Sequence, residues 1–144
     1  MSLLLRLWFS RLLIGIVFFF NVQSAAAFLL WPGTYTPGFE LNGAVGSAML
    51  QGMGLLFLMW NVPYAFALFH PQHNRVSLYE AVLMQAIGFF GETILVSLLP
   101  TGHAILQASV ARFRGFDGVG LALLLLAALL LPQPRSQTAP SQAK

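Results

Sequence analysis

The sequence predicts an all-α integral membrane protein, a four-helix bundle with both termini in the cytoplasm. Three observations predict it. The chain is 58% hydrophobic and only 8% charged, with a mean hydropathy of +0.77, whereas about a quarter of the residues of a soluble domain are charged. Four apolar runs, each of about 20 residues or slightly more, use nearly all of its 144 residues, and about 20 is the length a helix needs to cross a bilayer. The seven basic residues stand mostly at the ends of those runs, where they act as topogenic charge.

These same features exclude several classes of function. A net charge of +3 and a pI near 10.0 would fit nucleic-acid binding only if the cations were clustered, and they are not. The absence of cysteine removes disulfides, thiolate metal sites, iron-sulfur ligation and thiol redox chemistry. One four-span domain, residues 1–131, fills the chain up to a Pro-, Gln- and Ser-rich tail, 132–144, expected to be disordered.

The first run extends from about residue 11 to residue 30, with Trp31 and Pro32 closing it. A secretory signal is the competing reading, from the basic start, the apolar Leu12 to Phe20 and the small Ala25, Ala26 and Ala27. Against it, the hydrophobic run continues through Phe28, Leu29 and Leu30. The second run covers about 43–69. Ala44, Ala48 and Gly52 recur there every four residues, the small-xxx-small spacing that lets helix backbones approach in lipid. Pro63 removes a backbone donor within this run and predicts a kink.

The third run, about 77–99, opens on Ser77-Leu78-Tyr79-Glu80. This matches a capping box, in which Ser77 and Glu80 satisfy free backbone donors at a helix start. Pro100 follows its end. The fourth run, about 113–131, contains Asp117, and Gly115, Gly118 and Gly120 offer a place to bend if the helix starts earlier.

Four spans bring both termini to one side together with the loop between the second and third runs. That side collects Arg6, Arg11, Arg75, Arg135 and Lys144, against Arg112 and Arg114 opposite. The positive-inside rule therefore places both termini in the cytoplasm, in a multi-pass protein of the cell membrane. Trp31 and Tyr35 at one edge and Trp8 and Tyr79 at the other fit aromatic belts.

Glu92 is the residue a purely structural span would not choose, since a charged group in mid-membrane costs about 2.5–3.5 kcal/mol on insertion scales. Counting about 1.5 Å per residue, Glu92, Asn21, Gln23, Gln51 and Asp117 fall about 6 to 14 Å below the outer surface, as one polar slab. Gln85, Gly88 and Glu92 share a stripe of the third helix. Arg114, with Arg112 as substitute, is expected to pair with Glu92 and Asp117. Such a layer either staples the helices through hydrogen bonds or lines a cavity for a quinone or lipid head group, with Glu92 as a proton relay. No catalytic constellation is legible. His70, His73 and His103 lack the further ligands a metal or haem site needs, and no phosphate loop, serine elbow or HExxH occurs.

The layout resembles the DoxX-like group of four-helix bacterial membrane proteins. The resemblance rests on Arg11-Leu-Leu-Ile-Gly15, the turn from Trp31-Pro32 to Pro37-Gly38-Phe39, the Gly-rich stretch from Gly43 to Gly54, and Arg112 before the last helix. It implies a small subunit or partner of a membrane redox system, in some members linked to quinone reduction. Where that group often carries an acidic residue in its second helix, Gln51 or Asn61 stands here. The expected role is a non-catalytic accessory or structural subunit of a larger electron-transfer or photosynthetic membrane complex. Its expected partners are the bilayer and other membrane subunits or further copies of the chain, with no nucleic acid. No cofactor is expected from this chain alone. A proton-coupled carrier using Glu92 and a quinone-linked oxidoreductase component are the alternatives.

Overall fold

The computed structural model describes residues 2–132. Arg135, Lys144 and the rest of the expected disordered tail beyond Pro132 lie outside the described residues. Five α-helices follow in order, α1 (Leu3–Leu30), α2 (Pro32–Tyr35), α3 (Gly43–Phe69), α4 (Arg75–Leu98) and α5 (Ala104–Leu130), with a 3-10 turn at Thr36–Phe39. No strand occurs among the described residues. Helices α1, α3, α4 and α5 are each long and apolar enough to cross a membrane. At 24 to 28 residues they are about 36 to 42 Å long, more than the roughly 30 Å of hydrocarbon, so they tilt or project at their ends.

The four long helices form a ring. Helix α1 packs on α3 and α5, and α4 packs on the same two, while the backbones of the diagonal pairs stay apart. The main buried cluster combines Ile14 and Val17 of α1, Tyr64 and Ala67 of α3, Leu78 and Ala81 of α4, and Leu124 and Ala127 of α5. All four helices therefore close tightly in the half of the bundle that carries the chain's N-terminus. Large apolar side chains such as Phe19, Leu55, Ile87 and Leu129 stay on the outside, the arrangement a bilayer stabilises.

Several element boundaries differ from expectation, each for a local reason. Helix α1 starts at Leu3 rather than near residue 11, because its arginines do not end it but reach the ends of other helices. Arg6 Nε donates to the Leu130 carbonyl and Arg11 Nη2 to the Phe69 carbonyl, both at 2.8 Å, and Arg75 Nη2 donates to the Pro132 carbonyl. These cations meet the unfilled carbonyls and negative dipole ends that helix C-termini present.

Helix α4 starts at Arg75, so Ser77 and Glu80 lie inside it and form no capping box. Leu78 already donates to the Asn74 carbonyl, which places the helix start ahead of Ser77. Helix α5 starts at Ala104 rather than near 113 and stays helical through Gly115, Gly118 and Gly120. The last two serve contact instead of bending. A Cβ on Gly118 would lie 3.0 Å from the Phe89 ring, and one on Gly120 would lie 2.5 Å from Gln85 Nε2.

The small-residue face of α3 is also displaced. Ala44 and Ala48 are exposed, and a Cβ on Gly52 would meet no atom within 4 Å. Close approach occurs at Gly54, where a Cβ would lie 2.9 Å from the Ala25 carbonyl oxygen on α1. Helix α3 continues through Pro63.

At the far end, α2 and the 3-10 turn lie over α3 and α5. Ser109 Oγ donates to the Gly38 carbonyl at 2.5 Å. Glu40, held at φ 56, places its carboxylate against the start of α5. Its Oε2 is 2.5 Å from His103 Nδ1, and the Leu106 amide donates to Oε1 at 3.2 Å.

Candidate functional site

Above the tight half of the bundle, α1, α3, α4 and α5 line a cavity of about 470 Å³. Its floor is a hydrogen-bonded file across three helices. Tyr64 of α3 donates to Gln85 Oε1 at 2.6 Å, with the Ala81 carbonyl oxygen at 3.2 Å, and Gln85 Nε2 donates to Asp117 Oδ1 of α5 at 2.7 Å. Glycine permits the last step, since a Cβ on Gly88 would overlap the Asp117 carboxylate.

Glu92 lines the same cavity, seven residues along α4 from Gln85 and so about 10 Å further from the core. Its Oε2 is shut off from solvent and has no hydrogen-bond partner. Asn61, only 4% exposed, donates from Nδ2 to the Phe57 carbonyl at 2.6 Å. That bond fixes the amide and leaves Asn61 Oδ1 buried without a partner. Asn21 and Ser24 of α1 complete the polar lining. Phe57, Trp60, Phe113 and Phe116 supply aromatic walls, and no Arg, Lys or His lines the cavity. Trp60, Ile87 and Leu95 line it while remaining substantially exposed on the outer face of the bundle, so it opens sideways between α3 and α4.

The expected polar slab is thus a column centred on this cavity. Asn21, Gln85, Glu92 and Asp117 are brought together there, and the Gln85, Gly88, Glu92 stripe faces inward. Asp117 lies deeper than expected, because α5 begins nine residues earlier than the apolar run implied and Asp117 sits at the level of Gln85. Gln51 is exposed and donates to the Leu29 carbonyl at 3.3 Å. Gln23 and Arg112 line a separate cavity of about 400 Å³ under the Thr34–Phe39 segment.

The Glu92, Arg114, Asp117 network does not form. Arg112 donates to Ser109 Oγ at 2.9 Å on its own helix, Arg114 lines neither cavity, and Glu40 with His103 is the ion pair found among the described residues. Asp117 takes an amide partner because its face of α5 lies against Gln85 of α4.

Sequence reasoning missed Tyr64, and noted Asn61 only for its type. Their signal was present: Leu50, Gly54, Phe57, Asn61 and Tyr64 recur at alternating spacings of four and three, which marks one helix face. Ser10, fully buried and donating to the Ala127 carbonyl at 2.9 Å, is a second polar clasp, joining α1 to α5. The chain matches no family model, no curated protein and no solved structure.

Proposed function

We propose that the protein is a multi-pass cell-membrane protein, both termini cytoplasmic, whose bundle receives the polar head of an amphipathic molecule from the outer half of the bilayer. The observation that carries this reading is the laterally open cavity of about 470 Å³ that holds Glu92 and Asp117. Its volume falls within the range of about 300–1,000 Å³ of small-molecule sites, and its mostly apolar walls with a few convergent polar groups have the make-up of such sites. The carboxyl of Glu92, lacking a partner on one oxygen, is the group that would exchange a proton as the head group enters, which makes a proton-coupled carrier one form of this function. Quinone and lipid head groups are of suitable size. The arginines Arg6, Arg11 and Arg75 at one end support the cytoplasmic placement of that end.

Native mass spectrometry after mild detergent extraction should show a small bound molecule on the wild type. Glu92→Gln should lose it at unchanged helix content. Identical ligand-free spectra from both would count against the reading.

A second reading, an accessory subunit of a larger electron-transfer or photosynthetic assembly, is favoured by the Ala44, Ala48, Gly52 face, which the bundle leaves outward. The DoxX-like layout is consistent with such a partner. Ala48→Leu should leave the stability of the isolated chain unchanged and remove co-purifying membrane subunits. Unchanged co-purification would oppose the accessory role.

A further inference from the structure

The atoms awaiting partners in the cavity share one chemical character. Asn61 Oδ1 and, when Glu92 is ionised, Glu92 Oε2 are acceptors, both buried and both without a partner, and a buried polar atom left unsatisfied costs stability. Asp117 Oδ1 already accepts from Gln85, and the Tyr64 hydroxyl is committed to Gln85. The acids Glu92 and Asp117 line the site with no basic side chain among them. A head group that offers only acceptors, such as a quinone or a phosphate, leaves Asn61 Oδ1 without a donor and can be met only by a protonated carboxyl. One that carries N–H donors and positive charge satisfies both orphan acceptors and offsets the charge of an ionised Glu92. The aromatic walls favour the same charge, because ring faces attract cations.

We propose, building on the amphiphile-binding reading above, that the cavity between α3 and α4 binds the primary ammonium head of a single-chain amphiphile. The ammonium donates to Glu92 and to Asn61 Oδ1, and its alkyl chain leaves between Trp60 and Leu95. A free long-chain amine and the ethanolamine head of a phospholipid share this chemistry. The phosphate of the latter would sit near two carboxyl groups with no cation to receive it, which favours the free amine.

The test uses full-length protein in phosphatidylcholine nanodiscs, with Trp8→Phe and Trp31→Phe so that Trp60 alone reports. Dodecylamine should change Trp60 fluorescence saturably, and dodecanol should bind far more weakly. Glu92→Gln should weaken dodecylamine by about 10- to 100-fold, the loss expected for a hydrogen bond to a charged group. Gly91→Leu, which places a side chain at a position where a Cβ meets no atom within 4 Å, should block the cavity mouth while keeping both acids, so the result does not rest on one variant. Competition by added phosphatidylethanolamine would identify the lipid head as a source of the ammonium, and absence of competition would identify free amines. Equal affinity for dodecanol, or tighter binding of a short-chain quinone than of the amine, would overturn the ammonium assignment and leave the amphiphile reading standing. Failure of every probe to saturate would overturn both.

Discussion

Gln85 and Asp117 meet at 2.7 Å across the α4–α5 interface, and two glycines, Gly88 beneath the carboxylate and Gly120 beside the amide, make room for the pair. Gly120→Ala would press on Gln85 along its length, from Nε2 at 2.5 Å to Cγ at 3.3 Å. Gln85 is 3% exposed and has little space to retreat, so a loss of about 1–3 kcal/mol is expected, as for overpacking. Gly88→Ala should cost a similar amount, about 1–3 kcal/mol, because Asp117 must swing away and leave the buried Gln85 amide without its acceptor. Unfolding measurements in detergent, with Gly115→Ala as a control at an open position, check both.

Gly52→Ala and Gly54→Ala, two residues apart on α3, should act in opposite directions. A Cβ at position 54 meets the backbone oxygen of Ala25 at 2.9 Å, and one at position 52 meets nothing within 4 Å. The first should destabilise by about 1–3 kcal/mol, and the second should be neutral or stabilise by up to about 1 kcal/mol through helix propensity. Reversed thermal shifts would mean that α3 turns its other face to α1.

Tyr64→Phe keeps the packed ring and removes the hydroxyl that donates to Gln85. The Gln85 carbonyl oxygen is then left without that donor, and a cost of about 1 kcal/mol follows, in line with hydrogen bonds between membrane helices. A double-mutant cycle with Gln85→Leu isolates the pair, and a coupling energy of zero would show that the contact contributes nothing.

Glu40 links the extramembrane segment to the start of α5, and its carboxyl lies below its ordinary value of 4.5, chiefly through the His103 hydrogen bond, with desolvation opposing and the Leu106 amide and the His103 charge assisting. A carboxyl lowered by folding contributes stability that is fully present above its unfolded value and is lost as the pH falls through the folded one. Wild type should therefore melt above Glu40→Gln at about pH 6, and the two should converge as the pH falls below 4.5 and through the lowered folded value. Both side chains are partly exposed, so added salt should shrink the difference. A gap independent of pH would remove the carboxylate from the explanation.

Half of the site was legible from residue order and half was not. The inward stripe of Gln85, Gly88 and Glu92 lies within one helix, so periodicity alone reveals it. Asp117 could be picked out as a costly residue, yet its partner could not be named, because the choice between Arg114 on its own helix and Gln85 on the next depends on how far α5 is rotated. The Ser77–Glu80 motif illustrates the converse. Its residue types suit a cap, and the helix simply starts earlier, at Arg75.

The amino-acid sequence on its own determined the class of this protein, the number of its long apolar helices and the presence of costly polar groups within them, because hydropathy and length are local properties. Only tertiary structure decided which face of each helix turns inward, which glycines make contact and which oxygens are left to face a cavity. The physical reason is that helices apolar on every side give hydrophobicity no preference between lipid and protein neighbours. Inward faces are then selected by close packing and by the need to pair polar atoms, and both depend on how the helices meet.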